Sequence, residues 1–391
     1  MARTAEVVII GGGVTGASLA YHLAQRGIKQ VVLLERKFLA SGGTGRSVGV
    51  IRQLYPTREA SEMVLRSLRV FQRFDELVGG ESGYVGCGTL IGISEAMLPA
   101  LRKTMETQRA LGIRAELLTP DEIRRIEPRI APEGVGGFLY EPESGYGDPT
   151  GVTVGYARAA RDQGVTIEQG AEVAGIRVAG DRVLGVTTAA GEVIDAPVVV
   201  NAAGLWAPAV ARMAHVELPI MVGRHPVFVV ERPATFGRPH LVYLDLAGGS
   251  YVRPESGDLT LTGLLTEDET KHPMDPELLG SEVGFEEAAE TLERTGRAVP
   301  SLSEGHYQRG YAGAFDITPD WMPILDESPV RGFYIAAGMS GHGFKLSPAV
   351  GELMAELITA DRTTINRAPF RLDRFAGTSK TGHFVASFLT P

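Results

Sequence analysis

Short, uninterrupted apolar runs alternate with amphipathic stretches at the start of the sequence. Residues 7–10 are all apolar and end in glycines, which predicts a central parallel strand. Residues 14–26 carry apolar side chains at helical spacing and are followed by Gly27, a typical helix stop. Residues 31–34 form a second apolar run. Together these segments predict a strand–helix–strand unit, the beginning of an α/β sheet.

The rest of the pattern predicts a mixture of helices and strands. Helices are predicted at 59–77, 95–111, 119–127, 152–163, 286–295 and 348–359. Strands are predicted at 87–94, 165–169, 173–178, 182–188, 193–195, 198–201 and 332–337. Residues 218–266 are rich in β-branched and aromatic side chains and turn signals, which favours an antiparallel sheet.

Composition places the chain among ordinary globular proteins. Its 391 residues, 44% hydrophobic and 22% charged, are enough for two domains or for one large α/β domain with an inserted lobe. A formal net charge of −9 argues against nucleic-acid or acidic-membrane partners. We see no signal peptide and no apolar run of the ~20 residues that a membrane span needs. Cys87 is the sole cysteine, so we expect no intramolecular disulfide, no metal cluster, and a cytoplasmic location.

The first chemical motif is the glycine-rich turn after the first predicted strand. Gly11 permits a tight turn, Gly13 lets backbone approach a pyrophosphate, and Gly16 allows close helix–strand packing. The following helix directs free N–H groups and its positive dipole end toward phosphates. Glu35 closes the second strand, where a carboxylate accepts hydrogen bonds from ribose hydroxyls. This combination predicts dinucleotide binding.

Two further glycine-rich segments favour FAD over NAD. Residues 41–47 (SGGTGRS) follow the second strand, and residues 337–345 (AGMSGHGFK) join a late strand to a helix. The second segment directs another helix N-terminus toward an anion, which suits the N1–C2=O region of a reduced flavin. The residues in and beside these motifs that are predicted to bind the cofactor are Gly11, Gly13, Val14, Thr15, Gly16, Glu35, Arg36, Ser41, Gly43, Thr44, Arg46, Ser47, Gly338, Gly341, His342, Gly343, Phe344 and Lys345. The family resemblance described below implies that Val173, Ala202, Gly204, Trp206 and Gly313 also contact it.

These elements predict an α/β fold with two domains. A discontinuous, Rossmann-like FAD-binding domain would comprise residues 1–82, 148–214 and 308–376. A substrate domain with a mixed or antiparallel sheet would comprise residues 83–147 and 215–307. Residues 377–391 form a C-terminal tail, expected either to be loosely ordered or to dock its 384–388 segment onto a partner.

The chain resembles the D-amino-acid-oxidase-type flavoproteins, and within them the sarcosine oxidase branch. The resemblance rests on VVIIGGGVTGASLAYHLAQRG, LLERKFLASGGTGRSVGVIRQLY, GDPTGVTVGYARAARDQGV, VVNAAGLWA, TPDWMPILD and GMSGHGFKLSPAVGELMAELI. These segments span nearly the whole chain and are specific for the family, but not for one substrate.

The resemblance implies roles for several side chains near the flavin. Arg52, in VIRQLY, and Lys345, in GFK, match the pair that binds the substrate carboxylate. Burying a carboxylate without paired cations is costly, so the chemistry agrees. Tyr251 matches an active-site tyrosine of the family. The alternative is that it only packs in the sheet, with its hydroxyl hydrogen-bonded. His342 and His225 are acid–base candidates that are otherwise structural, and for Arg52 the alternative is a structural salt bridge.

Departures from the family bear on flavin attachment and on oxygen. Gly313, Arg46 and Gly147 stand where relatives attach a flavin covalently to cysteine or histidine, so noncovalent FAD is implied. The oxygen-activating lysine of monomeric sarcosine oxidases aligns near 260–262, where this chain has threonines and a leucine. Phe315 replaces the carboxylate-binding arginine of glycine and D-amino-acid oxidases.

The implied function is FAD-dependent oxidation of a small secondary or N-methylated amino acid, with Arg52, Lys345, Tyr251 and His342 as the catalytic set. Hydride would pass to flavin N5, an imine would hydrolyse, and O2 or another acceptor would reoxidise the flavin. One alternative is the catalytic subunit of a heteromeric proline- or opine-type dehydrogenase, suggested by RHP at 224–226. The others are a glycine or D-amino-acid oxidase and a non-catalytic flavin-bound assembly protein. A homo- or hetero-oligomer is compatible with each.

Overall fold

The described part of the chain forms four β-sheets and flanking helices. The structure is a computed structural model and describes residues 3–265, 272–360, 362–377 and 388. The strands are β1 (Arg3–Thr4), β2 (Val7–Ile10), β3 (Val31–Glu35), β4 (Val50–Ile51), β5 (Thr89–Ile93), β6 (Glu116–Leu118), β7 (Gly137–Glu141), β8 (Gly145–Tyr146), β9 (Thr166–Gln169), β10 (Val173–Ala179), β11 (Arg182–Thr188), β12 (Val193–Asp195), β13 (Val198–Asn201), β14 (Met221–Glu231), β15 (Val242–Asp245), β16 (Ser250–Pro254), β17 (Leu259–Leu264), β18 (His306–Ile317), β19 (Ile324–Glu327) and β20 (Phe333–Ala337). The helices are α1 (Val14–Gln25), α2 (Arg58–Gln72), α3 (Phe74–Leu77), α4 (Leu98–Ala110), α5 (Pro120–Ile126), α6 (Pro149–Asp162), α7 (Ala207–Arg212), α8 (Phe285–Ala298) and α9 (Gly343–Ala360).

A six-stranded sheet in the order β19-β20-β13-β2-β3-β9 carries the dinucleotide motif. Its strands are parallel except for β19, which runs antiparallel to β20. The inner strands β2 and β3 are buried at every position, as expected for a sheet covered on both faces. Helices α1, α2, α6 and α9 pack on one face. The four-stranded sheet β1-β12-β11-β10 and α7 pack on the other.

An eight-stranded sheet in the order β18-β14-β17-β16-β15-β5-β7-β6 forms the second lobe. All neighbours in it are antiparallel except β15 and β5. Strands β14 and β18 pair over their whole length, from Met221 opposite Ile317 to Glu231 opposite His306. The short pair β4–β8 lies where the chain crosses between the lobes, next to Arg52.

Most predicted elements are confirmed, and the differences have local causes. The predicted helix 59–77 is interrupted at Arg73, giving α2 and α3. The predicted start of the last helix at Pro348 is wrong, because α9 begins at Gly343. Proline removes a backbone donor inside a helix, and here the Ser347 hydroxyl donates to the Phe344 carbonyl at 2.8 Å instead. Strands β1, β4, β6, β7, β8, β18 and β19 and helix α7 were not predicted.

Two expectations about organisation remain predictions. The proposed division at residue 308 would cut β18, which pairs with β14 in the eight-stranded sheet along its full length. Thr266 and most of the tail, residues 378–387 and 389–391, lie outside the described residues. Phe388 is described and is 1% exposed within its own chain. None of the described helices is long and apolar enough to cross a membrane.

Candidate active site

The turn between β2 and α1 is closed by glycines that no other residue could replace. Gly11 has φ +114°, and a Cβ there would lie 2.4 Å from the Ala202 carbonyl oxygen. A Cβ on Gly16 would lie 2.0 Å from the Gly11 carbonyl oxygen. Real Cβ atoms do not approach so closely, so α1 packs against the turn only because both side chains are absent.

Glu35 is fixed at the carboxyl end of β3, beside this turn. The carboxylate is buried and accepts hydrogen bonds from Gly12 N at 2.8 Å, Lys37 N at 2.8 Å and Ser41 Oγ at 3.2 Å. These donors tie the acid to the glycine turn and to the start of the second glycine-rich segment. The arrangement holds a ribose-binding carboxylate in one orientation.

The segment 41–47 folds back against the N-terminus of α1. Thr44 Oγ1 accepts from Val14 N at 3.1 Å, and a Cβ on Gly13 would come within 3.1 Å of the same oxygen. Arg46 donates to the Ser41 carbonyl. The helix N-terminus and the second loop therefore form a cradle of backbone and hydroxyl groups suited to a pyrophosphate.

A cluster of Arg36, Trp206 and Glu277 lies at the same end of the cavity as Glu35. Arg36 donates twice to the Glu277 carboxylate, at 2.8 and 3.1 Å, and Trp206 Nε1 donates to it at 2.7 Å. The Arg36 guanidinium carbon lies 4.2 Å from the centroid of the Trp206 ring. These hydrogen bonds, led by that from Arg36, hold the pKa of Glu277 below its usual value.

One continuous cavity runs from this cluster past the glycine turn to Arg52 and Lys345. Of the residues predicted from the sequence, its lining includes Gly11, Gly13, Val14, Thr15, Glu35, Arg36, Ser41, Gly43, Thr44, Arg46, Ser47, Arg52, Val173, Ala202, Gly204, Trp206, Tyr251, Gly313, Gly341, His342, Gly343, Phe344 and Lys345. Gly16 and Gly338 do not line it. Gly16 packs α1 on the turn, and a Cβ on Gly338 would meet Thr318 Cγ2 at 2.5 Å.

Arg52 and Lys345 are two buried cations at the far end of the cavity, 2% and 6% exposed. Arg52 donates to the Leu54 carbonyl and lies 3.4 Å from His342 Nδ1, and Lys345 Nζ donates to the Gly341 carbonyl at 3.0 Å. Neither cation forms an ion pair with a carboxylate of the described part of the chain. Burial, and then the charge of Arg52, lower the pKa of Lys345 well below its ordinary value. No described carboxylate therefore lies within ion-pair distance of either cation, although the charge of the buried Glu141 favours the charged form of Arg52.

His342 lies beside both cations. Burial and the charges of Lys345 and Arg52 lower the pKa of His342 well below its usual value, so the imidazole is neutral. Within the ranges that the structure describes, its buried Nε2 has no hydrogen-bond partner. A neutral ring with an unused nitrogen at the cavity wall is suited to accept or donate a hydrogen bond to a ligand.

Tyr251 and His225 face the cavity from the eight-stranded sheet. The Tyr251 hydroxyl lies 3.3 Å from His225 Nε2, and the imidazole stacks on Phe315 with ring centroids 4.3 Å apart. All three line the cavity together with Gly313. The two histidines considered from the sequence thus lie in the same cavity.

Asp316 was missed by sequence reasoning, although it stands just before the TPD motif. Its buried carboxylate accepts from Gly338 N at 2.9 Å and Met339 N at 3.0 Å. These bonds fix the loop that leads to the N-terminus of α9. Burial nevertheless raises the pKa of Asp316 to about 6.

Glu277 and Phe388 were also missed, because each is far along the chain from its partners. Glu277 is 241 residues from Arg36. The ring centroid of Phe388 lies 3.8 Å from the Arg52 guanidinium carbon, and its ring lines the cavity. No local motif marks either residue.

The residues present fit a dinucleotide with a flavin end. The glycine turn leaves room that a Cβ would fill, Glu35 is positioned for a ribose, and the cavity continues to a second helix N-terminus at Gly343. Val173, Ala202, Gly204 and Trp206 lie along the same cavity. The fold and this site together define a dinucleotide-binding oxidoreductase.

Comparisons with known proteins agree with that class. A family model described as "FAD dependent oxidoreductase" matches residues 6–357, so the chain belongs to this family, known as DAO. It is 32% identical to the sarcosine oxidase subunit beta of Rhizobium meliloti (strain 1021) over 390 residues, covering 95% of this chain and 88% of that protein. The L-proline dehydrogenase from P. horikoshii has the same fold, with a TM-score of 0.87, 27% identity, and coverage of 96% of this chain and 98% of that one.

A longer relative matches at similar identity. The mitochondrial sarcosine dehydrogenase of Homo sapiens is 32% identical over 388 residues, which is 95% of this chain but 41% of that protein. The chain therefore spans about two-fifths of the length of this curated relative. Within the family shown, the chain is an FAD-dependent oxidoreductase.

Proposed function

We propose that the protein oxidises a small secondary or N-methylated amino acid and holds the substrate by its carboxylate. The observation that carries this proposal is the buried pair Arg52 and Lys345, which has no carboxylate partner among the described residues. Two buried cations without counter-ions are costly unless a ligand supplies the negative charge. An amino acid offers that charge next to its amine.

The chain's own residues would bind and orient this substrate. Arg52 presents a planar set of donors and Lys345 a point charge, which together fix a carboxylate in the plane of the guanidinium. His342 and Tyr251 line the same cavity, where His342 Nε2 and the Tyr251 hydroxyl are suited to the amine or to ordered water. When bound, FAD supplies the redox chemistry by accepting a hydride from the carbon beside the amine nitrogen, leaving an imine that water hydrolyses.

The names of the relatives support an amino-acid substrate without identifying one. Sarcosine dehydrogenase and sarcosine oxidase subunit beta are named for an N-methyl amino acid, and L-proline dehydrogenase for a cyclic secondary one. Both of these substrates are secondary amino acids, in agreement with the proposal. The subunit name also supports a hetero-oligomer as the second candidate, in which this chain is the catalytic subunit of a dehydrogenase.

We further propose that FAD is held noncovalently and that the protein works in the cytoplasm. Gly313 and Arg46 line the cavity at two positions where relatives attach the flavin, and neither side chain can form such a bond. A single cysteine, Cys87, is compatible with a reducing compartment. Denaturation in acid should release all of the FAD, and yellow colour that stays with the denatured chain would contradict noncovalent binding.

An anaerobic flavin-reduction screen tests the proposed substrate class. The holoenzyme is mixed with sarcosine, N,N-dimethylglycine, L-proline, glycine and, as the matched control, N-methylethylamine, which keeps the secondary amine but lacks the carboxylate. We expect bleaching of the flavin absorbance by one or more of the secondary amino acids and none by the amine. Equal bleaching by N-methylethylamine, or bleaching by glycine alone, would overturn the proposal. If no compound bleaches the flavin, the non-catalytic alternative is favoured.

A further inference from the structure

The ring of Phe388 lies against the guanidinium of Arg52 inside the cavity. The distance from the Arg52 guanidinium carbon to the ring centroid is 3.8 Å, and the corresponding distance to Tyr55 is 4.8 Å. The quadrupole of an aromatic face attracts a cation, and the attraction increases where water is excluded. Arg52 is 2% exposed, so the contact is of the desolvated kind.

The Phe388 ring is held by the eight-stranded sheet and its surroundings. It is 1% exposed and belongs to a buried apolar cluster with Leu244, Tyr251 and Leu265. All four residues also line the cavity next to Arg52. Phe388 is thus part of the wall at the end of the cavity where the proposed carboxylate would bind.

An aromatic wall at this place has two consequences for a ligand. A guanidinium covered by rings offers its N–H edge, not its face, so a carboxylate must approach in the plane of the guanidinium. A buried ring next to that edge also limits the volume available to the group attached to the carboxylate-bearing carbon.

We propose that Phe388 is a specificity-determining residue of the amino-acid site, which orients Arg52 and restricts the site to substrates with small side chains. This inference rests on the proposed function, because it assumes that the anion at Arg52 is a substrate carboxylate. Phe388 is a positioning residue for Arg52 and requires no contact with the reacting atoms.

Binding of unreactive carboxylates tests the inference separately from turnover. Acetate and the bulkier cyclohexanecarboxylate are titrated into the holoenzyme, and binding is followed by the change in the flavin absorbance spectrum. Phe388→Leu keeps an apolar side chain but removes the aromatic face, and Phe388→Ala removes both bulk and face. Phe370→Ala is the matched control, because Phe370 is equally buried but lies outside the cavity.

Each variant has a different expected result. Both Phe388 variants should bind acetate about tenfold more weakly, the scale of a lost desolvated cation–π contact. Phe388→Ala alone should bind cyclohexanecarboxylate at least tenfold more tightly relative to acetate than the wild type does. Phe370→Ala should lower the melting temperature and leave both dissociation constants unchanged.

Other outcomes overturn the inference in distinguishable ways. Unchanged acetate and cyclohexanecarboxylate binding in both Phe388 variants, with a lowered melting temperature, would make the ring purely structural. If neither carboxylate changes the flavin spectrum of the wild type, the cavity has no carboxylate site. The proposed function would then fail together with the inference. Should Phe388→Ala not fold, Phe388→Leu still tests the orientation of Arg52 through acetate binding.

Discussion

Removing the charge of Lys345 should affect binding and stability in opposite directions. In the Lys345→Met variant a side chain of similar length stays buried, but the ammonium is lost. Its single described hydrogen bond, from the ammonium to the Gly341 carbonyl, is worth about 1.5–3 kcal/mol. The variant also avoids the cost of burying a cation that has no carboxylate partner among the described residues, and this cost is several kcal/mol. We therefore expect a free energy of unfolding equal to or above that of the wild type.

The affinity for a carboxylate should fall in the same variant. A hydrogen bond between charged groups contributes about 1.5–3 kcal/mol, so the dissociation constant should rise by about ten- to 150-fold. Anaerobic titration of the flavin spectrum with acetate measures the affinity, and chemical denaturation measures the stability. FAD content should not change, because Lys345 is not assigned to the pyrophosphate, which the glycine turn and residues 41–47 would bind.

Arg232→Met is the matched control for this experiment. Arg232 is as buried as Lys345, donates to the carbonyls of Leu259 and Gly257, and lies outside the cavity. Its loss removes the hydrogen bonds to these two partly buried carbonyls, so stability should fall while acetate binding stays the same. The opposite pattern in Lys345→Met, lower stability with unchanged acetate binding, would refute the carboxylate clamp.

Three further predictions concern pH, cofactor retention and oxygen. Burial raises the pKa of Asp316 from 3.8 to about 6, so the unfolded state loses this proton at lower pH than the folded state does. The Asp316 contribution to the free energy of unfolding should therefore fall by about 3 kcal/mol as pH rises from about 4 to above 6. Chemical denaturation across this range should show a smaller pH dependence of stability in Asp316→Asn than in the wild type, and an identical pH dependence would contradict the prediction. Glu277→Gln weakens the cluster with Arg36 and Trp206 at the cavity wall and should speed FAD dissociation about two- to fivefold, measured by recovery of flavin fluorescence. Glu293→Gln, which removes a remote exposed ion pair with Arg297, should leave the rate unchanged. Equal rates in the two variants would show that the cluster does not slow FAD release. Reduced enzyme should reoxidise more slowly with O2 than with an artificial acceptor in stopped-flow mixing, since threonines, Thr260 and Thr262, stand in the region where related oxidases have a lysine; reoxidation at the rate of an efficient oxidase would refute this.

The part of the site that the sequence could predict is the part whose chemistry is local. The glycine turn, Glu35 and the strand–helix unit around them are adjacent in sequence, so spacing alone indicates their geometry. Arg52 and Lys345 were found through resemblance, not spacing, since 293 positions separate them in the printed sequence. The structure brings both to His342.

Contacts between distant segments were beyond sequence reasoning. Nothing in the composition around Glu277 shows that Arg36 and Trp206 converge on its carboxylate. Strand β18 was missed because its N-terminal half is exposed and polar, so neither strand periodicity nor a continuous apolar run marks it. Pro348 was interpreted as a helix start. The helix can begin earlier because the Ser347 hydroxyl donates to the Phe344 carbonyl, which the proline nitrogen cannot do.

The strand order of the six-stranded sheet has a consequence for how the chain folds during synthesis. Its central strand β13 pairs with β2 on one side and with β20 on the other, so the sheet is assembled from three distant parts of the sequence. A nascent chain that has emerged only as far as β13 therefore exposes one edge of that strand until Phe333–Ala337 leaves the ribosome. The cavity wall that Gly343, Phe344 and Lys345 provide is complete only when α9 has followed, so cofactor capture must wait until α9 has left the ribosome.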